Sequence, residues 1–229
     1  RSSGPFLDGH AGSYSDIEVD SQGNVHLIYQ FLYEGCDATN FAFPDLLYTK
    51  KSPNQFQFDT RSYPEKEEQV SGNNYVDGGN YQNDSGTVSK LIINANDEPF
   101  VFFYEQDSTL NKGLYISEKN ESGWEKKAIN SHCSISDITA SSNTQGDVFV
   151  AYVARHCDGD NDTQYSLRFA KRLYTESSTA TWQDTYLEEG VLINGEGRHM
   201  DMTIDQYGRP AISYLELASY SEVDLHHLK

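Results

Sequence analysis

The stretch DIEVDSQGNVHLIY (16–29) decides the fold, because its outline occurs four times along the chain. KLIINANDEPFVFF (90–103), DITASSNTQGDVFVAY (137–152) and DMTIDQYGRPAISY (201–214) repeat its parts: a short apolar strand, a polar turn, and a second strand of alternating or continuous apolar residues. Each reads as a β-hairpin. Gly23, Gly146 and Gly208 punctuate three of the turns. In the second strands Val25, Pro99, Val148 and Pro210 share one column, and four positions later Tyr29, Phe103, Tyr152 and Tyr214 form an aromatic column.

Working outward, a third strand follows each hairpin: LLYTK (46–50), GLYISEK (113–119), SLRFAK (166–171) and LHHLK (225–229). Tyr48, Tyr115, Phe169 and His227 are read as its central column. A fourth strand headed by a bulky aromatic comes next in three units, around Phe56, Trp124 and Trp182, while SSGPFLDG (2–9) offers Phe6 as the counterpart for the fourth. Repeated four-stranded units hide their faces against their neighbours when they stand side by side around an axis. The expected fold is therefore all-β, a β-propeller of four-stranded antiparallel blades. About four blades are visible, in a single domain over 1–229 with repeats near 11–63, 86–130, 133–190 and 197–229. Either the N-terminal strand 1–8 closes the ring or the chain is a fragment of a larger propeller; its first residue is Arg rather than Met, as in a processed or excised piece.

Composition narrows the function classes. A formal charge of −18, with no Lys/Arg cluster to offset it, repels phosphate backbones and excludes nucleic acid as the expected partner. No run of about eighteen apolar residues is present, so no helical membrane span is expected. Aromatic residues make up 13% of the chain, which supplies anchors for a packed core despite the polarity.

The repeats resemble those of secreted bacterial propellers, in which an apolar strand, Asp-x-x-Gly and a Pro-headed strand ending in Tyr recur, with a looser relation to sialidase-type repeats. That resemblance implies architecture and a secreted or cell-surface location. Sialidase Asp-boxes, Ser-x-Asp-x-Gly-x-x-Trp, are absent, so it does not extend to sialidase activity.

On a propeller, the connections between second and third strands and those between blades open on one face, and variable loops on a rigid frame are where function concentrates. That funnel face is expected to carry His10, His132, Arg198 and His199 in the interblade segments, and Glu105, Asp107, Arg155, Glu216 and Tyr220 near the other connections. An imidazole there can serve as a general base near neutral pH. Tyr75 and Tyr81, set among Asn and Asp in the long stretch 64–86, have the pattern of a sugar-contacting surface: ring faces for C–H groups and amides for hydroxyls. Asp158, Asp160 and Asp162 alternate as calcium ligands do in a tight loop, although Thr163 and Phe169 stand where an EF-hand requires Gly and Glu. The stretch reads either as a solvated acidic turn or as an atypical calcium loop, for which Ca²⁺ would be the cofactor. Neither HExxH nor Cys-x-x-Cys accompanies the histidines, which leaves little basis for zinc.

Of three cysteines, Cys133 and Cys157 fall at the same end of the third unit and are the expected disulfide, leaving Cys36. The expected function is extracellular recognition of a glycan or another protein through the funnel face. Two alternatives stand beside it. One is a polysaccharide lyase or glycoside hydrolase, with His132 or His199 as base, Tyr220 as proton donor and Arg198 against a uronate carboxylate. The other is an assembly domain whose sheet edge pairs with a neighbour. Oligomeric state is not legible.

Overall fold

A computed structural model describes residues 10–32, 44–55, 68–70, 88–106, 112–131, 133–155, 165–174, 182–191, 200–219 and 222–228. The first blade contains β1 (His10–Val19), β2 (Val25–Leu32), β3 (Pro44–Lys51) and β4 (Glu68–Gln69). Then come β5 (Ser89–Ile93), β6 (Pro99–Gln106), β7 (Lys112–Asn120) and β8 (Gly123–Ser131) in the second, and β9 (Ser134–Ser142), β10 (Val148–Arg155), β11 (Tyr165–Arg172) and β12 (Gln183–Val191) in the third. In the fourth, the described strands are β13 (Asp201–Ile204), β14 (Pro210–Ser219) and β15 (Glu222–Leu228). Every sheet is antiparallel with its strands in chain order, and the first strands β1, β5, β9 and β13 stand beside one another in sequence. The protein is a β-propeller.

Burial explains why the middle strands are apolar without interruption. In β10, Val148, Val150, Tyr152 and Ala154 face the second blade, packing with Phe100, Phe102, Leu114 and Ile116. Alternate residues of the same strand, Phe149, Ala151 and Val153, meet Met202, Ile212 and Tyr214 of the fourth blade. In β6 the even-numbered Phe100 and Phe102 look to the third blade, while Val101 and Phe103 pack with Ile28, Leu46 and Tyr48 of the first. A strand covered on both faces has no solvent side, and each fully buried side chain of this size contributes about 1.5–3 kcal/mol. The first blade differs. Ile17 and Val19 on its β1 strand are 56% and 58% exposed.

Two details of the expected registry change. Tyr48, Phe169 and His227 pair with Ile28, Ala151 and Ser213, each three positions into its second strand, but the residue so paired in the second blade is Ile116, opposite Phe102. Tyr115 pairs one position further on, with Phe103, and so belongs to the other face, as any one-residue slip requires. The place beside β3 belongs to Glu68–Gln69, opposite Tyr48 and Leu47, whereas Phe56 lies outside the described residues. Gly113 is needed for close approach: a Cβ there would come within 2.0 Å of the Asn130 carbonyl oxygen, next to the β7–β8 bulge.

The turns between first and second strands share one construction. Asp20, Asn94, Asn143 and Asp205 each accept, through one side-chain oxygen, the N–H groups two and four residues on, at 2.8–3.0 Å. The remaining side-chain atom binds the side chain of the fifth residue: Asp20 to Asn24, Asn94 to Glu98, Asn143 to Asp147, Asp205 to Arg209. The fourth residue takes positive φ in every case, 79° at Gly23, 61° at Asp97, 88° at Gly146 and 78° at Gly208. Asp97 adopts it without being glycine, as Asn and Asp tolerate, and its carboxylate receives the N–H and hydroxyl of Ser21 from the first blade at 2.8 and 2.6 Å. The four first-to-second-strand turns, all at one end of the propeller, are thus built alike and closed by hydrogen bonds.

Candidate functional site

Antiparallel order puts the third-to-fourth-strand connections (52–67, 121–122 and 173–182) at the same end as these turns and sends the second-to-third-strand and interblade connections to the opposite one. The latter span 33–43, 70–88, 107–111, 132–133, 156–164, 192–200 and 220–221. His132, His199, Arg198, Tyr220, Tyr75, Tyr81, Asp107, Asp158, Asp160, Asp162 and Cys157 lie outside the described residues. Besides Cys133, four expected site residues have a described backbone, and it puts them toward that end. His10 opens β1 opposite Leu32, Glu105 pairs with Gly113, Arg155 ends β10 opposite Ser134, and Glu216 pairs with Asp224. Glu105 and Glu216 each stand six positions into their second strands, so two blades present a carboxylate residue at one register.

Glu105 is buried, 2% exposed, and Lys126 Nζ donates to both its oxygens at 2.8 and 2.9 Å. Lys126 also lies 5.1 Å from the Tyr115 ring centroid. The carboxylate is neutralised within its own blade, which is how a buried charge is tolerated. Cys133, just before β9, is buried and disulfide-bonded, with its partner outside the described residues. Among the described residues no three His, Cys, Asp or Glu side chains gather as a metal would need.

Three polar constellations were not legible as sites in the sequence. In the first blade His26, 1% exposed, places Nδ1 2.7 Å from the Tyr48 hydroxyl and Nε2 3.1 Å from Asp20 Oδ2, which also receives Lys50 Nζ at 3.0 Å. Burial alone would raise the Asp20 carboxyl, but hydrogen bonds from Asn24, His26 and Lys50 outweigh it and hold the group far below the usual carboxylate range. Burial lowers the affinity of His26 for a proton, against the pull of Asp20, and raises that of the Tyr48 phenolate. The chain Tyr–His–Asp has the order of a proton relay. Its histidine and aspartate are buried at the end of the hairpin turns, so its role is to knit turn to strand. The available signal was periodicity: His26 and Gln30 alternate with Ile28 on the buried side of β2.

The second constellation lies between the second and third blades. Asp184 accepts from the Tyr152 hydroxyl at 2.8 Å, Arg168 Nη2 at 2.7 Å and Asn130 Nδ2 at 3.0 Å. Burial first, then the Asp184 charge, pushes the Tyr152 phenol strongly upward, so it remains a donor at all working pH values.

The third recurs between blades. Lys119, directly opposite Trp124 in the β7–β8 ladder, pairs with Glu68 of the preceding blade and stands 5.0 Å from the Tyr48 ring centroid. Trp124 Nε1 donates to the same Glu68 at 2.9 Å. One blade on, Arg172 pairs with Glu118 of the preceding blade, its guanidinium 5.0 Å from the Phe100 ring and 5.5 Å from that of Trp182. In the second and third blades the aromatic heading the fourth strand therefore covers a cation that reaches across to the preceding blade.

No protein-family model and no curated protein matches the sequence. Solved structures do match in shape. The polysaccharide lyase Uly1 superposes with a TM-score of 0.52 at 9% identity, over 94% of this chain and 49% of its own. A xylan β-1,4-xylosidase from Bacillus halodurans C-125 gives a TM-score of 0.50 at 10% identity, over 99% of this chain and 42% of its own. The chain thus spans about half the length of these structures. At such identities the likeness speaks to the fold alone.

Proposed function

We propose that the chain is an extracellular carbohydrate-recognising propeller that engages its ligand at the end carrying the second-to-third-strand and interblade connections. One observation carries the reading. The first-to-second-strand turns at one end are closed by repeated side-chain-to-backbone bonds, while the second-to-third-strand and interblade connections, which hold Tyr75, Tyr81, Asp107, His132, His199 and Tyr220, belong to the other. Alternating Tyr and Asn/Asp at 73–84 suit a sugar, whose C–H faces stack on rings and whose hydroxyls pair with amides and carboxylates. The shape likeness to a polysaccharide lyase and a xylosidase adds support for a carbohydrate ligand. In this reading Asp158, Asp160 and Asp162 hold a Ca²⁺ ion that braces the third blade's connection, and Cys157 is the partner of Cys133.

Those two likenesses also favour a second reading, cleavage of a polysaccharide. His132 or His199 would remove a proton, Tyr220 would return one to the leaving oxygen, and Arg198 would offset developing negative charge. Retention on immobilised neutral and uronate-containing polysaccharides, followed together with reducing ends and unsaturated-end absorbance, separates the two. Retention without new ends is expected. Products that vanish in His132→Ala or His199→Ala establish the second reading, and retention on no polysaccharide overturns both.

A further inference from the structure

Between the second and third blades, at the end opposite those connections, a cleft of about 200 Å³ opens to solvent. Its floor is apolar, formed by Pro99 and Phe100, and its walls are Glu118 and Arg172, already joined as an ion pair. At the mouth stand the exposed carboxylate Glu98 and the ring of Tyr174, which is 58% exposed. Tyr174 is held in place from two sides. Its N–H donates to Asp147 Oδ1 at 2.8 Å, and its ring lies against Gly146, where an added Cβ would come within 3.0 Å of it. In the first blade Pro53 lies against the equivalent Gly23. Tyr174 and Tyr207 are the exposed aromatic rings among the described residues, and both stand at this end, where the turn carrying Tyr207 packs against the one beneath Tyr174.

From these features we infer a second ligand site, for one ring of a neutral sugar. The volume is below the 300–1,000 Å³ of a pocket for a drug-sized molecule, which fits a single ring rather than an extended ligand. Two acids, Glu98 and Glu118, and two bases, Lys119 and Arg172, line it, so the lining carries no net charge and selects no ion. A carboxylate beside a guanidinium offers acceptor and donor side by side, the complement of a vicinal diol, whose hydroxyls both donate and accept. The Tyr174 face supplies the surface on which the C–H side of the ring stacks. The site is independent of recognition at the other end.

Saturation-transfer NMR and titration of the full chain with methyl β-D-xylopyranoside and methyl β-D-glucopyranoside test it, with glucuronate as the charged control. Saturation of both glycosides is expected, with glucuronate weaker. Tyr174→Ala and Glu98→Ala should each weaken binding at least tenfold, while Tyr174→Phe, which keeps the ring, leaves it within twofold. Circular dichroism and thermal midpoints check that the variants fold. Absence of saturation by either glycoside, or unchanged binding in folded Tyr174→Ala and Glu98→Ala, overturns the assignment. Polysaccharide retention that persists in Tyr174→Ala leaves the other end's function standing whatever the glycosides do.

Discussion

At the residue scale, the first position of each hairpin turn does more than a turn former needs to do. Asp or Asn there satisfies two backbone N–H groups that would otherwise face one another unpaired, and its last atom selects the fifth residue. In the first blade the choice extends to His26, which is buried between Asp20 and Tyr48. Because burial lowers the folded-state pKa of His26, the unfolded chain binds the extra proton first as pH falls. His26 therefore stabilises fully above the unfolded value of about 6.5, and its contribution declines as pH drops toward the lower folded value. Urea midpoints at pH 7.5 and 5.5 should fall in the native chain and change less in His26→Gln; equal declines in both would contradict the assignment. The depressed Asp20 carboxyl acts lower, its share being lost only as pH falls below about 4.

Among the elements, the columns of the repeat were legible because strands of one kind repeat one packing problem. Tyr29, Phe103, Tyr152 and Tyr214 do share a register, four positions into their strands. Tyr115 did not keep its column, since the fragment GLYISEK offers two adjacent large residues and only pairing with β6 decides which faces the third blade. The tryptophans stood out in the sequence, but the cations they cover did not. A lone Lys119 or Arg172 looks like any surface charge until the preceding blade brings Glu68 or Glu118 against it. Trp182→Ala should cost about 3 kcal/mol, the lower end for deleting a large buried aromatic, because the ring is half-buried. Arg172→Gln leaves the carboxylate of Glu118 without its partner and should cost about 2 kcal/mol, discounted from the fully buried case. Equilibrium urea unfolding measures both, and losses under about 0.5 kcal/mol, the range of ordinary surface substitutions, would remove the clamp from the account.

Over the whole molecule, a net charge of −18 opposes compaction, while the interblade ion pairs work the other way. The repulsion is long-ranged and is screened as the Debye length shrinks toward 10 Å, whereas the pairs at the blade interfaces are short and partly buried and so feel salt less. Raising NaCl from roughly 20 to 200 mM should therefore raise the thermal midpoint, by roughly 2–4 °C for about 1 kcal/mol in a protein of this size. A fall would mean that exposed pairs dominate. Apart from the fourth strand of the first blade, the strands, their antiparallel order and the propeller follow from the amino-acid sequence alone, because periodicity and turn chemistry are local and were repeated often enough to be compared. What faces what is a different matter. The pairing of Ile116 rather than Tyr115, the burial of His26, the neutralisation of Glu105 by Lys126 and the cleft beneath Tyr174 were decided only when the sheets came together. Each depends on side chains from distant parts of the chain, or on the register of one strand against another, and neither leaves a mark in the spacing of residues along a single strand.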